Sequence, residues 1–167
     1  MPNHCFNRVE FYSNNKEEEI KKLHDIFSID VESVDEERTI FGQFIPEPDW
    51  PTTPLAEEDV SYWLRDKRGE VGELPQYVDG AFGKQLRFRS TDRVDDRWYD
   101  WRLQNWDTKW DAYDVVVTDD DPECTEIEFN TAWSPPEAIC SALREQYPDV
   151  SISWFFDEPG CEIAGYL

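Results

Sequence analysis

The sequence predicts an α+β fold, an antiparallel sheet with helices packed on one face, and three observations carry that prediction. Stretches near both ends of the chain alternate apolar and polar residues with period two. Helical stretches fall between those strands, and hairpin turns join the strands that no helix separates. Aromatic residues make up 15% of the 167, large enough apolar groups for a domain of this length to build a core without a metal or disulfide.

The elements follow in order. Residues 5–12 put Cys5, Asn7, Val9 and Phe11 on one face and Phe6, Arg8, Glu10 and Tyr12 on the other, and Ser13-Asn14-Asn15 ends the strand. A helix over 16–27 has Ile20, Leu23, His24 and Phe27 on one stripe, with Asn15 placed to cap it and Glu17, Glu18 and Glu19 at the positive end of its dipole. A strand is expected over 41–45, after which Pro46, Pro48, Pro51 and Pro54 mark a loop. A short helix is expected over 57–65, turns over 69–83, and a helix over 91–104 with Val94, Trp98 and Trp101 on one stripe. A strand over 113–118 sets Tyr113, Val115 and Val117 on one face, and Asp119-Asp120-Asp121-Pro122 turns the chain. The next strand, over 126–132, sets Ile127 and Phe129 against Glu126 and Glu128. Ser134-Pro135-Pro136-Glu137 starts a helix, with serine as its cap and glutamate reaching back, that ends before Pro148. Strands over 150–156 and 161–166 flank a turn at Asp157-Glu158-Pro159-Gly160, and the apolar run Trp154-Phe155-Phe156 suits an inner strand. The chain reads as a single α+β domain, 1–167, with an irregular insertion at about 46–90.

Charge divides the chain unevenly. The net charge is −22. Residues 1–50 hold 12 acidic and 5 basic side chains, and residues 51–110 hold 12 and 10, with Arg87, Arg89, Arg93, Arg97 and Arg102 close together. Residues 111–167 hold 14 acidic side chains and 1 basic one, Arg144. Such an excess argues against a nucleic-acid backbone or an anionic membrane as a direct partner. A solvated coat or a salt-adapted host accounts for it without a function, yet solubility of a small domain needs a net charge magnitude of only about 2–8. The further reading is an acidic face that engages a basic groove in place of nucleic acid. Its candidate residues are Asp114, Asp119, Asp120, Asp121, Glu123, Glu126, Glu128, Asp157, Glu158 and Glu162.

No apolar export signal and no bilayer-length apolar run stand in the sequence, so a cytoplasmic protein is expected. Cys5, Cys124, Cys140 and Cys161 are scattered, with no Cys-x-x-Cys pair, and are expected to be reduced thiols. There is no glycine-rich phosphate loop, no Gly-x-Ser-x-Gly elbow and no His-Glu-x-x-His pair, and both histidines lie in the first 24 residues. No catalytic residue, cofactor or metal is therefore assigned. Residues 98–111 hold four of the eight tryptophans. The motif of Trp101, Asn105, Trp106, Lys109, Trp110 and Asp111, with Trp133, reads either as a structural wedge against the sheet or as a ligand site. Within it Lys109 is read as the ion-pair partner of Asp111 or Asp107.

Five short motifs occur in order: Met-Pro-Asn-x-Cys5-x-Asn7, Phe44-Ile45-Pro46-Glu47-Pro48, Asn105-Trp106-x-Thr108-Lys109-Trp110-Asp111, Phe129-Asn130-Thr131-Ala132-Trp133-Ser134-Pro135-Pro136, and Glu158-Pro159-Gly160. Together they resemble the YubB-like (Api-type) proteins of phages and conjugative plasmids, over nearly the whole chain. The resemblance implies a ferredoxin-like C-terminal part, a mobile-element origin and a location inside a bacterial host cell, and it supplies no activity. One departure stands out: the family usually has Gly where this chain has Asp107, and a positive φ there would strain an aspartate.

The reading that follows is a non-catalytic phage or plasmid protein that binds and inhibits a host nucleic-acid-handling defence protein through its acidic C-terminal sheet. The partner is a basic host protein or nucleoprotein complex, neither free nucleic acid nor a membrane. One alternative is a small enzyme or ligand-binding domain with a Trp-rich cleft. Another is a host-takeover regulator that acts by protein contact through the mixed-charge segment from Arg87 to Arg102.

Overall fold

The computed structural model describes residues 3–28, 39–50, 53 and 97–167, and the backbone of 76–80, 83–88 and 93–94. The elements are β1 (His4–Tyr12), α1 (Glu17–Phe27), a 3-10 turn (Phe41–Gln43), β2 (Gln76–Gly80), β3 (Gly83–Phe88), β4 (Arg93–Val94), α2 (Arg97–Asn105), β5 (Tyr113–Asp121), β6 (Cys124–Ala132), α3 (Glu137–Gln146), β7 (Ser151–Glu158) and β8 (Ile163–Tyr166). The helix expected over 57–65 lies outside the described residues. Two compact units emerge, one of 1–46 with 101–167 and one of 47–100. The stretch read as an irregular insertion falls mostly in the second.

The first unit is an α+β layer built on a five-stranded sheet of order β5-β6-β1-β7-β8, antiparallel throughout. Taken along the chain, β1-α1-β5-β6-α3-β7 is a doubled split βαβ with β1 in the middle, and β8 adds an outer strand beside β7. The alternation in β1 explains its place. Cys5, Asn7, Val9 and Phe11 are all fully buried. Val9 stands between Ile127 and Trp154, and Phe11 between Thr125 and Ile152. Ile20, Leu23 and Phe27 of α1 and Ile139, Cys140 and Leu143 of α3 close the core, with Phe27 and Trp154 packed on Phe129 at 5.7 Å. Among the inward side chains of β1, Asn7 is the one with an amide. Its amide donates to the Cys5 carbonyl (3.0 Å) and Thr131 Oγ1 (2.9 Å), and its oxygen accepts from Trp154 Nε1 (3.1 Å), so neither polar atom of this side chain is stranded.

Several local expectations are corrected, mostly because a distant group supplies what a neighbour was expected to. Residues 41–45 are not a strand, and Phe41–Gln43 form a 3-10 turn: Asp111, far along the chain, accepts the amides of Ile40 (2.6 Å) and Phe41 (2.9 Å) and fixes the tight bend. Asn15 does not cap α1 but accepts from Ser13 Oγ at 3.0 Å. α2 begins at Arg97 rather than 91, because residues 93–94 pair with β3. β5 runs through Asp119–Asp121, and the hairpin turns at Pro122-Glu123. The backbone is irregular after Tyr113, where Asp114 has φ 52°, so Tyr113 shares Asn130's face and not that of Val117. β7 likewise continues to Glu158 before the chain turns.

Asp107 shows most clearly how a remote residue completes a helix. It adopts φ 62°, the left-handed conformation anticipated for the usual glycine. Its carboxylate accepts the Ala138 amide at 2.8 Å, capping α3 in place of Ser134, whose hydroxyl donates to the Asp107 carbonyl. Asp107→Ala is expected to lower the unfolding free energy by about 1–2 kcal/mol, since the cap is lost and the backbone penalty stays. Asp107→Gly, which loses the cap but relieves the backbone, should fall between alanine and the parent, as chemical denaturation would measure. An alanine variant at least as stable as the glycine one would refute this account.

In the second unit β2, β3 and β4 form a three-stranded antiparallel sheet, where the sequence reading expected turns over 69–83 and a helix from 91 and foresaw none of the three strands. Arg97 donates to the carbonyls of Trp50 and Thr53, each at 3.1 Å, and lies 5.1 Å over the Trp50 ring.

Candidate partner-binding face

Helices cover one face of the five-stranded sheet, and among the described residues no helix covers the other. Pairing places side chains on that open face in rows, because residues opposite each other in adjacent strands point the same way. One row runs Asp119–Glu126–Glu10–Ser153 across β5, β6, β1 and β7. The next runs Val116–Glu128–Arg8–Phe155–Tyr166. Three carboxylates on neighbouring strands, with Glu128 one pleat away, thus face a single guanidinium among the described residues, that of Arg8. Arg8 Nε lies 4.0 Å from Glu126 and its guanidinium carbon 5.5 Å over the Phe155 ring, and Thr118 Oγ1 donates to Glu126 at 2.8 Å. Like charges in direct register oppose strand pairing, so this row is a local cost to the sheet.

Of the ten acidic residues singled out by sequence, Asp119, Asp121, Glu126 and Glu128 come together on this face, and Glu123 is exposed at the adjoining turn. Asp121 stands opposite Cys124 and accepts the Glu123 amide at 3.1 Å. Asp114 is exposed at the irregular start of β5, within 3.3 Å of the Asn130 amide. Asp120 pairs with inward-facing Thr125, and its carboxylate reaches His24 of α1 at 3.8 Å, so it leaves the face. Asp157 shares the open face but lies four residues along, opposite Phe6, and Glu162 is exposed between β7 and β8. Glu158 is corrected outright. It is buried, and the Cys161 thiol, ahead of the Cys161, Asn3 and Gly160 donors, holds its carboxyl below the ordinary range against the opposing effect of burial. Its Oε2 accepts the Cys161 amide at 2.5 Å. Gly160 lies close beside it, where an added Cβ would meet Asn3 Nδ2 at 2.0 Å and oblige the Asn3 side chain to move. Glu10 was missed. The alternation in β1 already turned it outward, but only knowledge that β1 pairs with β6 makes it part of the row.

The tryptophan-rich motif divides between core and surface. Trp106 is fully buried, donates to the Ile45 carbonyl at 3.0 Å and packs edge-on against Phe41 and Trp101, each at 5.8 Å. Arg102 covers its ring at 4.7 Å. Asn105 donates to the Trp101 carbonyl within α2 at 2.8 Å. Trp110 and Trp133 face solvent, 37% and 51% exposed, which separates them from Trp106. Lys109 lies 4.5 Å over the Trp110 ring, where ion pairing with Asp107 or Asp111 was expected. Those carboxylates are occupied, one at α3 and the other at the 3-10 turn. The four cysteines are free; Cys5 and Cys140 are buried as expected of small hydrophobes, whereas Cys161 is exposed.

Asp111 sets a measurable constraint. Burial raises its carboxyl above the ordinary range, and the amides of Phe41, Ile40 and Ala112, with Arg102, pull it back. A carboxyl raised in the folded state contributes most stability below its unfolded value of about 3.9 and loses it as pH climbs through the folded value. Asp111→Ala strands two amides and is expected to cost about 3 kcal/mol. Asp111→Asn keeps one acceptor oxygen, should cost about 1 kcal/mol, and should flatten that pH dependence in urea titrations. Equal losses in the two variants would show that the amides do not depend on this side chain.

No helix among the described residues is long and apolar enough to cross a membrane. Comparison with curated proteins finds no match. The crystal structure of a protein api92 from Yersinia pseudotuberculosis is similar in fold, with a TM-score of 0.50 over 99% of this chain and 93% of that one at 12% identity. Residues 105–167, from the end of α2 through β8, match the family model described as the ferredoxin-like domain in Api92-like protein. Together with the strand order around β1, this match shows a ferredoxin-like fold, and residues 105–167 are similar to the ferredoxin-like domain of Api92-like proteins.

Proposed function

We propose that this protein is a non-catalytic phage- or plasmid-encoded accessory factor that acts in the cytoplasm of a bacterial host. It binds a basic, nucleic-acid-handling host protein, such as a restriction or CRISPR complex, and blocks the groove meant for nucleic acid. The observation that carries the reading is the row Asp119–Glu126–Glu10, three carboxylates in register on an open sheet face with Arg8 as the nearby cation. Adjacent strands set such carboxylates about 4.8 Å apart. Charges along one strand of duplex DNA are about 3.4 Å apart along the axis, so the face imitates the potential of nucleic acid and not its geometry. Long-range attraction of this kind speeds encounter with a positively charged groove.

The alternatives have less beneath them. Trp106 and Asp111 are committed to the core and to a backbone turn, which leaves a Trp-rich ligand cleft without two of its expected members. In the mixed-charge segment, Arg97 and Arg102 are engaged with Trp50 and Trp106, and the side chains of Arg87 and Arg93 lie outside the described residues. The test is displacement. The purified protein should release labelled DNA or RNA from a basic factor with which it co-purifies, more weakly as salt rises. Co-purification with no displacement at any salt concentration would end the inhibitory reading.

A further inference from the structure

We propose that the outer edge of β8 is a docking site for an extended, arginine-bearing segment of a partner protein, which joins the sheet as a sixth strand beside β8. The inference takes only the basic character of the partner from the function proposed above. The two edges of the sheet are built differently. β5 is studded with Asp114, Asp119, Asp120 and Asp121 and has two register irregularities, features that discourage another strand from pairing. β8, Ile-Ala-Gly-Tyr, has no charge and no irregularity in its pairing. Ile163 and Tyr166 are 54% and 68% exposed.

The backbone at this edge is held ready. Leu167 donates to the Trp154 carbonyl at 3.0 Å, which sets the alternation: Gly165 and Ile163 turn their amides and carbonyls towards β7, and Ala164 and Tyr166 turn theirs away from the sheet. Arg144 fixes the end of the strand by donating to the carbonyls of Ile152 (3.2 Å) and Leu167 (2.9 Å), and Tyr166 packs on Phe155 at 5.4 Å. The sheet also shows what chemistry suits the place. Arg8 on β1 lies over Phe155 on the neighbouring β7. A strand beyond β8 would stand to exposed Tyr166 as β1 stands to Phe155, so an arginine opposite Tyr166 finds the same aromatic face. Glu162, exposed at the start of β8, and the net charge of −22 add attraction for a cation.

The probe is an acetylated and amidated ten-residue peptide of alternating arginine and valine, added to the full isotope-labelled chain. At a peptide concentration near ten times its dissociation constant, amide exchange at Ala164 and Tyr166 should slow about tenfold. The same peptide N-methylated at alternate amides keeps its charge and should give no such protection. Ala164→Pro leaves the β7 pairing intact, because that amide points outward, and should abolish protection. Tyr166→Ala should weaken binding about threefold to fivefold. Reversing Glu10, Asp119 and Glu126 to lysine should leave protection at β8 in place, which separates this site from the acidic face. No protection at Ala164 and Tyr166, equal protection by the N-methylated peptide, or self-association of the free chain that Ala164→Pro removes would each overturn the proposal.

Discussion

Residues 105–167 produced alone are expected to remain unfolded, although they span the whole region matched as a ferredoxin-like domain. The reason is β1, which lies outside that region and occupies the middle of the sheet between β6 and β7. Its absence would break both ladders, nine paired residues with β6 and seven with β7. It would also uncover Ile127, Phe129 and Trp154 and remove Val9 and Phe11 from the core, along with the α1 stripe of Ile20, Leu23 and Phe27. Each large apolar side chain lost or uncovered is worth about 1.5–3 kcal/mol, against a typical total stability of about 5–15 kcal/mol. The sum exceeds what a small domain holds in reserve. Circular dichroism and amide exchange on the fragment should show no cooperative transition, and a peptide of residues 3–28, carrying β1 and α1, should restore one. A cooperative melting fragment without the peptide would mean that β6 and β7 close on each other and that the order seen here is not the one that stabilises the domain.

The same central strand shows how much could be read from sequence. Wherever burial followed a simple period, as in β1, β6, α1 and α3, the chain displayed it openly, and faces and approximate limits followed. Failures cluster where a distant residue completed a local structure. Nothing near residues 41–43 announces that Asp111 will hold their amides, and nothing near Ser134 announces that Asp107 will take the cap of α3. The irregularity at Asp114 has a similar lesson: one aspartate at positive φ moved Tyr113 to the opposite face, which period-two counting cannot foresee. For the acidic face, outward orientation of Glu126 and Glu128 was legible, whereas the adjacency of Glu10 depended on pairing across 116 residues of chain. Glu158 was misjudged because charge was counted by segment, and the turn that buries it sets an aspartate and a glutamate with opposite fates side by side.

Reversal of Glu10, Asp119 and Glu126 to lysine is expected to weaken binding of the basic partner by at least about a hundredfold. Close charge pairs across a protein interface are coupled by about 1.5–7 kcal/mol, so even partial loss at three positions passes that threshold. The fold should survive, because the three carboxylates repel one another in register and Arg8 is 4.0 Å from Glu126, a weak exposed pair. Net charge alone would predict a different pattern, and a matched control separates the two. Reversing Asp114, Asp157 and Glu162, which lie at the start of β5, on β7 and in the turn before β8, changes the total charge by the same amount away from the row. At about 0.1 M salt the screening length is near 10 Å, so charges outside the row contribute little once the partner is seated. Binding measured by calorimetry over a salt series should therefore show the loss for the row and a change below about fivefold for the control, with the salt dependence flattened only in the first. Equal losses in both sets would reduce the acidic excess to a diffuse attraction, and an unaffected row variant would move the interface off this face altogether.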